Sequence, residues 1–338
     1  MSVLNVGTLN ATTGVKLPSY ASGSFPTTDL QVGQIIYDST NKEIRLYNGS
    51  SWVGLYPQFY AEFLVCGGGG GGGGSFGGGG GGGGVIYQKA FPMTSGMSWD
   101  VRVGAAAPGS PANTDQGTIA QSGGFSRFGH FYADGGGGGS SRLCDGGGCR
   151  WGQPAGSGGC GGGGGHVNTG PKTIPGSGLP GQGFNGGWGR VGQATTPNHA
   201  SGGGGGAGGP GGDFCNGSTG GRGGDGYYST ISGTGVYYAA GGGGGVYTDG
   251  AGGAGGTGGG GTGGRYQSGQ LSSGTNATGF GCGGGGGGYT YSGGSGTSGI
   301  VIVRYSGGTR ATGGTISSVG GFTIHTFSTP GNFTFTTN

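Results

Sequence analysis

The chain has 338 residues, of which 109 are glycine and only 7% are charged. With 30% hydrophobic residues there is little for an ordinary apolar core, so cohesion must come largely from backbone hydrogen bonds. The formal charge of +3 is spread thinly with no Lys/Arg cluster, which argues against nucleic acid, and no apolar span of roughly 18 residues exists to insert into a membrane.

The N-terminus, Met1-Ser2-Val3-Leu4-Asn5, lacks a basic segment followed by an apolar one, so no signal peptide is expected and folding in a cytosol is. A Ser/Thr/Asn/Gly-rich lead runs to about Asp29, where Pro18 and Pro26 break any helix. Gln34-Ile35-Ile36-Tyr37 and Glu43-Ile44-Arg45-Leu46-Tyr47, around the polar link 38–42, predict a β-hairpin. Asn48-Gly49 then turns the chain into Ser50-Ser51-Trp52-Val53-Gly54-Leu55. Such a unit is too small to stand alone, so it should oligomerise or pack on something else.

Phe59-Tyr60-Ala61-Glu62-Phe63-Leu64-Val65 is of strand type, and it leads into residues 67–84: eight glycines, Ser75-Phe76, and eight more glycines. Glycine runs recur at 135–139, 161–165, 202–206, 241–245, 258–261 and 283–288, and the series closes on the strand-like Ile300-Val301-Ile302-Val303-Arg304-Tyr305. A flexible linker would not be bracketed and repeated in this way. The interruptions are spaced by three: Pro154, Ser157 and Cys160, continuing through Gly163 to His166 and Thr169; Ala207, Pro210 and Asp213; Thr219, Arg222 and Asp225; Ala251, Ala254 and Thr257. A polyproline II-type helix has three residues per turn and no internal hydrogen bonds, so every third residue shares an edge and buried N–H and C=O groups must pair with neighbours. The runs therefore read as extended polyglycine helices packed side by side, eight residues spanning about 25 Å, with the other residues on outward edges or at ends. Collagen is excluded, because glycine comes in blocks and only 13 residues are proline.

Six cysteines, Cys66, Cys144, Cys149, Cys160, Cys215 and Cys282, mostly adjoin glycine runs. Cys144 and Cys149, with Cys160 and His166 downstream, match no usual paired-ligand spacing for zinc. Reduced, small packing residues are the better reading, and neither metal nor cofactor is expected. His130, His166, His199 and His325 have no nucleophile or carboxylate at motif spacing, and His325 is expected on the outer face of its strand. GxGxxG matches carry no information in polyglycine, no Walker-type Gly-Lys-Ser/Thr occurs, and no two acidic residues are placed to work as a glycosidase pair. An enzyme is not expected.

Residues 33–42 (Gly-Gln-Ile-Ile-Tyr-Asp-Ser-Thr-Asn-Lys) followed by Leu46-Tyr47-Asn48-Gly49-Ser50-Ser51-Trp52-Val53 resemble a small module common in bacteriophage tail-fibre proteins. Phe63-Leu64-Val65-Cys66 and Gly299-Ile300-Val301-Ile302-Val303-Arg304-Tyr305 are similar to the borders of a glycine-rich domain frequent in phage and marine bacterial proteins. Residues 98–104 and 124–129 occupy the places of strands after its first glycine block, and 321–327 with 331–335 resemble a strand pair that often accompanies it. Phage adhesins that cap long tail fibres also carry a polyglycine-helix sandwich and bind the host receptor through distal loops. The resemblance implies a similar architecture here, although this chain carries its own fibre-like N-terminal module.

These readings combine into an all-β chain with a polyglycine II helix bundle and no substantial α-helix. Residues 1–58 form an attachment and oligomerisation module, 59–305 the sandwich with display loops, and 306–338 a C-terminal strand pair. The expected function is a non-enzymatic tail fibre or adhesin of a virion, made in the host cytoplasm and extracellular after lysis. Its expected partners are further copies of itself (a homotrimer, as the resemblance implies), other virion tail proteins, and a host surface glycan or outer-membrane protein. The alternative is a structural filament or capsid-decoration subunit that binds no receptor. Four segments look most like exposed tips: Arg150 with Trp151; Phe184, Trp188 and Arg190; Tyr227, Tyr228, Tyr237 and Tyr238; and Tyr266, Tyr289 and Tyr291. Aromatic rings among small polar residues contact ligands at low entropic cost. Against that, each ring could cover an end of the bundle or pack between subunits.

Overall fold

The computed structural model describes residues 16–56, 59–112, 118–142, 153–167, 171–191, 199–214, 219–247, 250–267 and 269–338. The described chain is all-β, with no helix, and divides into two compact units: residues 1–59 with 92–97, and residues 60–91 with 98–338.

In the first unit, β1 (Ser19–Tyr20), β2 (Ile35–Asp38), β3 (Glu43–Tyr47) and β4 (Trp52–Tyr56) form one sheet in chain order. β2, β3 and β4 make the expected antiparallel meander, and β1 adds a short parallel pairing to β2 that the sequence does not announce. The turn between β2 and β3 is knotted by Asp38, whose carboxylate accepts from Ser22 Oγ, the Thr40 and Asn41 backbone N–H groups, and Arg45 Nε. Burial works to raise its pKa, but the hydrogen bonds from Asn41, Ser22 and Thr40 outweigh it and hold the carboxyl below its usual value. Trp52 closes the unit, packing on Phe25 and Tyr47 and donating its indole N–H to Pro26 O.

The second unit begins with β5 (Phe59–Cys66), β6 (Val85–Met93), β7 (Ser98–Val103), β8 (Ser126–Phe128) and β9 (Phe131–Ala133). Two short hairpins follow, β10 (Tyr227–Ser229) with β11 (Val236–Tyr238) and β12 (Tyr266–Gln267) with β13 (Gln270–Leu271). The last strands are β14 (Ile300–Ser306), β15 (Ala311–Thr312), β16 (Thr315–Val319), β17 (Phe322–Phe327) and β18 (Gly331–Thr337). They build two five-stranded sheets, ordered β16-β17-β14-β5-β6 and β15-β18-β7-β8-β9. β5 and β14 sit inside the first sheet, which explains their nearly unbroken apolar sequence: both faces are covered. On one face, Phe63 meets Phe128 and Phe131 of the second sheet at 4.9 and 4.8 Å between ring centroids. On the other, Leu64, Ile300, Ile302 and Ile324 pack with Ile231 and Tyr238.

The C-terminal strands differ from the expected pair. β17 joins β14 in the first sheet while β18 joins β7 in the second, so the chain crosses between sheets at 328–330. His325 is correspondingly not on an outer face. It is fully buried, bonded through Nε2 to Tyr305 Oη and through Nδ1 to Gly313 O, with its ring against Phe335 of the second sheet. Burial depresses its pKa, partly offset by the Gly313 carbonyl.

Beyond the sheets the glycine runs hydrogen-bond to one another with a period of three. Gly67, Gly70 and Gly73 donate to Gly84, Gly81 and Gly78; Gly68 and Gly71 donate to Gly124 and Gln121; Gly69 and Gly72 donate to Thr297 and Gly294. The return run, 77–84, donates to three further segments through Gly78 to Ser140, Gly79 to Gly202 and Gly80 to Gly284, each partner recurring three residues on. It accepts from three others: Gly73, Gly70 and Gly67; Gly163 and Cys160; Gly245 and Gly242. A run so surrounded has no room for side chains: a Cβ on Gly79 would lie 2.0 Å from Gly242 O. The outermost edges carry the other residues. Ala251, Ala254 and Thr257 are all exposed, as are Thr219 and Arg222, whose guanidinium pairs with Asp225 three residues on at 2.6 Å. The edge through Cys160, Gly163 and His166 breaks the expectation, because it faces neighbouring runs and all three residues are buried.

Candidate functional site

The bundle has two ends. Cys66 and Gly84 adjoin the sheets at one, and the first run reverses at Ser75-Phe76 at the other. Both reversing residues hold positive φ, 39° and 55°, a region that costs a bulky residue energy and persists only where surroundings enforce it. The enforcement is visible. Ser75 N–H donates to Tyr291 O and Phe76 N–H to Gly288 O, while Phe76 O accepts from the His166 N–H and from Ser201 Oγ.

The Phe76 ring is buried at the centre of a cap. Around it lie His166, His199, Tyr247 and Tyr289 at 5.3 to 5.8 Å between centroids, with the Arg142 guanidinium 4.6 Å from its ring centre. His166 Nε2 and His199 Nδ1 share one hydrogen bond, so one imidazole donates and the other accepts. Burial, then the charges of Arg142 and Arg190, depress the His199 pKa. Sequence spacing hides the cap. Its one signal is that Ser75-Phe76 is the sole non-glycine pair in the 67–84 stretch.

The expected tip residues divide between the two ends. At the cap, Tyr266 stacks on Tyr247 at 6.0 Å and Tyr289 packs on Tyr247 at 4.7 Å, so both rings are half-buried structural members. Tyr291 is exposed, as is Trp188, whose N–H donates to Asp213 Oδ1. Arg190 is half-buried, its guanidinium 5.9 Å from the Phe214 ring beside Lys172, and its N–H bonds to Ala200 O. Arg150 and Trp151 lie outside the described residues. Arg142, Val167, His199 and Tyr247 each border an interval outside the description, including the one that carries Arg150 and Trp151.

The remaining residues are at the sheet end. The β10–β11 hairpin lies against the first sheet, where Arg304 donates to Thr230 O at 2.7 Å. Tyr238 is 1% exposed and belongs to the core; Tyr227 is half-buried; Tyr228 and Tyr237 pack on each other and stay exposed. Phe184 is 46% exposed at this same end, its carbonyl accepting from Gly161 N–H.

The thiols also sit inside the bundle. Cys66, Cys160 and Cys282 are free and buried; burial lifts Cys160 to about 12 and Cys282 to about 11, and pushes Cys66 up as well. Cys160 and Cys282 donate to Gly83 O and Gly258 O, consistent with packing rather than chemistry. Among the described residues no three His, Cys, Asp or Glu side chains gather to hold a metal; Cys144, Cys149 and Cys215 lie outside them. No helix of the described chain is long and apolar enough to cross a membrane.

No match was found among curated proteins or among solved structures. A family model described as a glycine-rich domain matches residues 48–306, from the first unit's last strand through β14, and the chain belongs to that glycine-rich family.

Proposed function

We propose that this protein is a virion-associated tail fibre or adhesin whose glycine runs are polyglycine II helices and whose capped end meets a host receptor. The observation that carries the reading is the division of labour between the two ends. The sheets take up the entering and leaving strands β5 and β14, whereas Ser75-Phe76 and the borders of four further segments converge on the cap. Backbone bonds fix the rod, so exposed residues around the cap can vary without altering the fold. Trp188 and Tyr291 are exposed rings of the type that carry binding energy, and with Arg150 and Trp151 they are the proposed receptor contacts. Residues 1–58 would join other virion tail proteins and assemble a homotrimer, and the partner would be a surface glycan or outer-membrane protein. The action is binding without catalysis.

The test is saturation binding of fluorescently labelled full-length protein to a panel of bacterial strains, read by flow cytometry. Saturable binding to a subset of strains, competed by unlabelled protein, is the expected result. Binding to none, or equal non-saturable binding to all, overturns the reading. A structural filament subunit is the second reading, favoured by β16, an edge strand with all five residues exposed. Electron microscopy separates the two, because discrete particles support the adhesin and open-ended filaments the second reading.

A further inference from the structure

At the sheet end, opposite the cap, a groove of about 660 Å³ runs between β6 and the 178–185 segment. That volume is in the range of small-ligand sites, which are usually preformed. Both walls here are fixed. On one, the Tyr87 hydroxyl is hydrogen-bonded to Glu62, whose carboxylate is itself held by Arg304. On the other, Leu179-Pro180-Gly181-Gln182 makes a turn with Gly181 at φ 80°, the geometry of a type II turn with proline and glycine in their favoured places. Gln182 then anchors that turn, accepting from Asp134 N–H at 2.8 Å and donating to Tyr132 O at 3.1 Å.

The chemistry of the lining is specific. Rings of Tyr87, Tyr227 and Phe184 and the prolines Pro180 and Pro210 supply apolar faces, and Phe184 is left nearly half exposed. Among the described residues no ionisable carboxylate, amine, guanidinium or imidazole lines the groove. Asn185 Oδ1 is taken by Gly178 N–H, which leaves its NH₂ group as a donor on that wall. Val85 N–H at the start of the β6 edge is already bonded to Gln182 O, so it is not free to pair with a peptide strand. Uncharged walls disfavour an acidic or basic ligand, while aromatic and proline faces beside amide donors suit a molecule with an apolar C–H face and a hydroxyl rim. We propose that this groove is a binding site for a neutral oligosaccharide, separate from the cap.

The experiment is a glycan array carrying neutral and acidic oligosaccharides, probed with the full-length protein, with hits quantified by titration calorimetry. Neutral glycans should be retained. Phe184→Ala should weaken them at least tenfold, Phe184→Tyr should retain them, and Trp188→Ala at the other end should leave them unchanged. Pro210→Trp, an exposed substitution that fills the groove, gives a second route to the same loss if Phe184→Ala does not fold. Retention of acidic glycans alone, of none, or of neutral glycans that both groove variants still bind overturns the proposal. Cell binding lost in cap variants and kept in Phe184→Ala keeps the failure of either site distinguishable from that of the other.

Discussion

His166 and His199, 33 residues apart in sequence, share a hydrogen bond between ring nitrogens beneath the Phe76 ring. Such a bond requires at least one lone pair, and a second proton would bring a cation beside Arg142 and Arg190. The pair is a buried clasp beneath the Phe76 ring.

Acid should therefore loosen this protein before its carboxylates titrate. The folded pKa of His199, like that of His325, is below the ordinary 6.5, so the unfolded chain takes up protons that the folded chain refuses. Stability is then lost as the pH falls below about 6.5, with up to about one proton per histidine taken up on unfolding. Asp225, held at about 2 first by Arg222, loses its contribution only as the pH falls below the ordinary carboxylate range. Thermal midpoints measured from about pH 7.5 to about pH 5 should fall. His199→Gln should be less stable at the upper pH yet show a shallower slope, and an unchanged slope would contradict the assignment.

Glycine substitutions should divide by position and not by run. A Cβ on Gly80 would sit 2.3 Å from Gly70 O, and neither backbone can yield without breaking its own bonds. Gly80→Ala should cost more than about 4 kcal/mol and leave little soluble protein. Ala254→Ser, on an exposed edge, should change stability by less than about 0.5 kcal/mol. Chemical unfolding of the two variants makes the comparison.

The buried thiols should be silent in the native state. Maleimide labelling followed by mass spectrometry should leave Cys66, Cys160 and Cys282 unmodified until denaturant is added, since their thiolates are suppressed by burial and their Sγ atoms are covered. Fast native labelling of any of the three would show that the bundle opens.

Under the adhesin reading, the two ends should respond differently in a cell-binding assay. Trp188→Ala and Tyr291→Ala should each weaken binding about tenfold or more, as loss of an exposed anchor ring does. Tyr228→Ala, exposed at the sheet end, should leave cell binding intact. Equal losses at both ends would mean that no single end carries the receptor contact.

The sequence spelled out its strands well and its neighbours poorly. Phe59-Tyr60-Ala61-Glu62-Phe63-Leu64-Val65 and Ile300-Val301-Ile302-Val303-Arg304-Tyr305 were legible because side chains record both strand period and burial. Ala251, Ala254 and Thr257 were legible as an outward edge for the same reason. Period three tells which residues share an edge but not which way that edge faces, so Cys160 and His166 turned out buried. Nor can identical glycine runs say which of them adjoin. The contact of His166 with His199, and the placing of Tyr227 at one end and Tyr289 at the other, depend on that pairing.

The three-residue repeat of the bundle's bonds has a consequence for how such a chain can change over time. The return run 77–84 is bonded on all sides, so inserting one or two residues there would put every later donor opposite the wrong partner, as a dislocation does in a crystal. Three residues would restore the register but lengthen that run beyond neighbours that had not grown. Length in that run is thus quantised in steps of three, whereas a connection at an end of the rod is not held to that step.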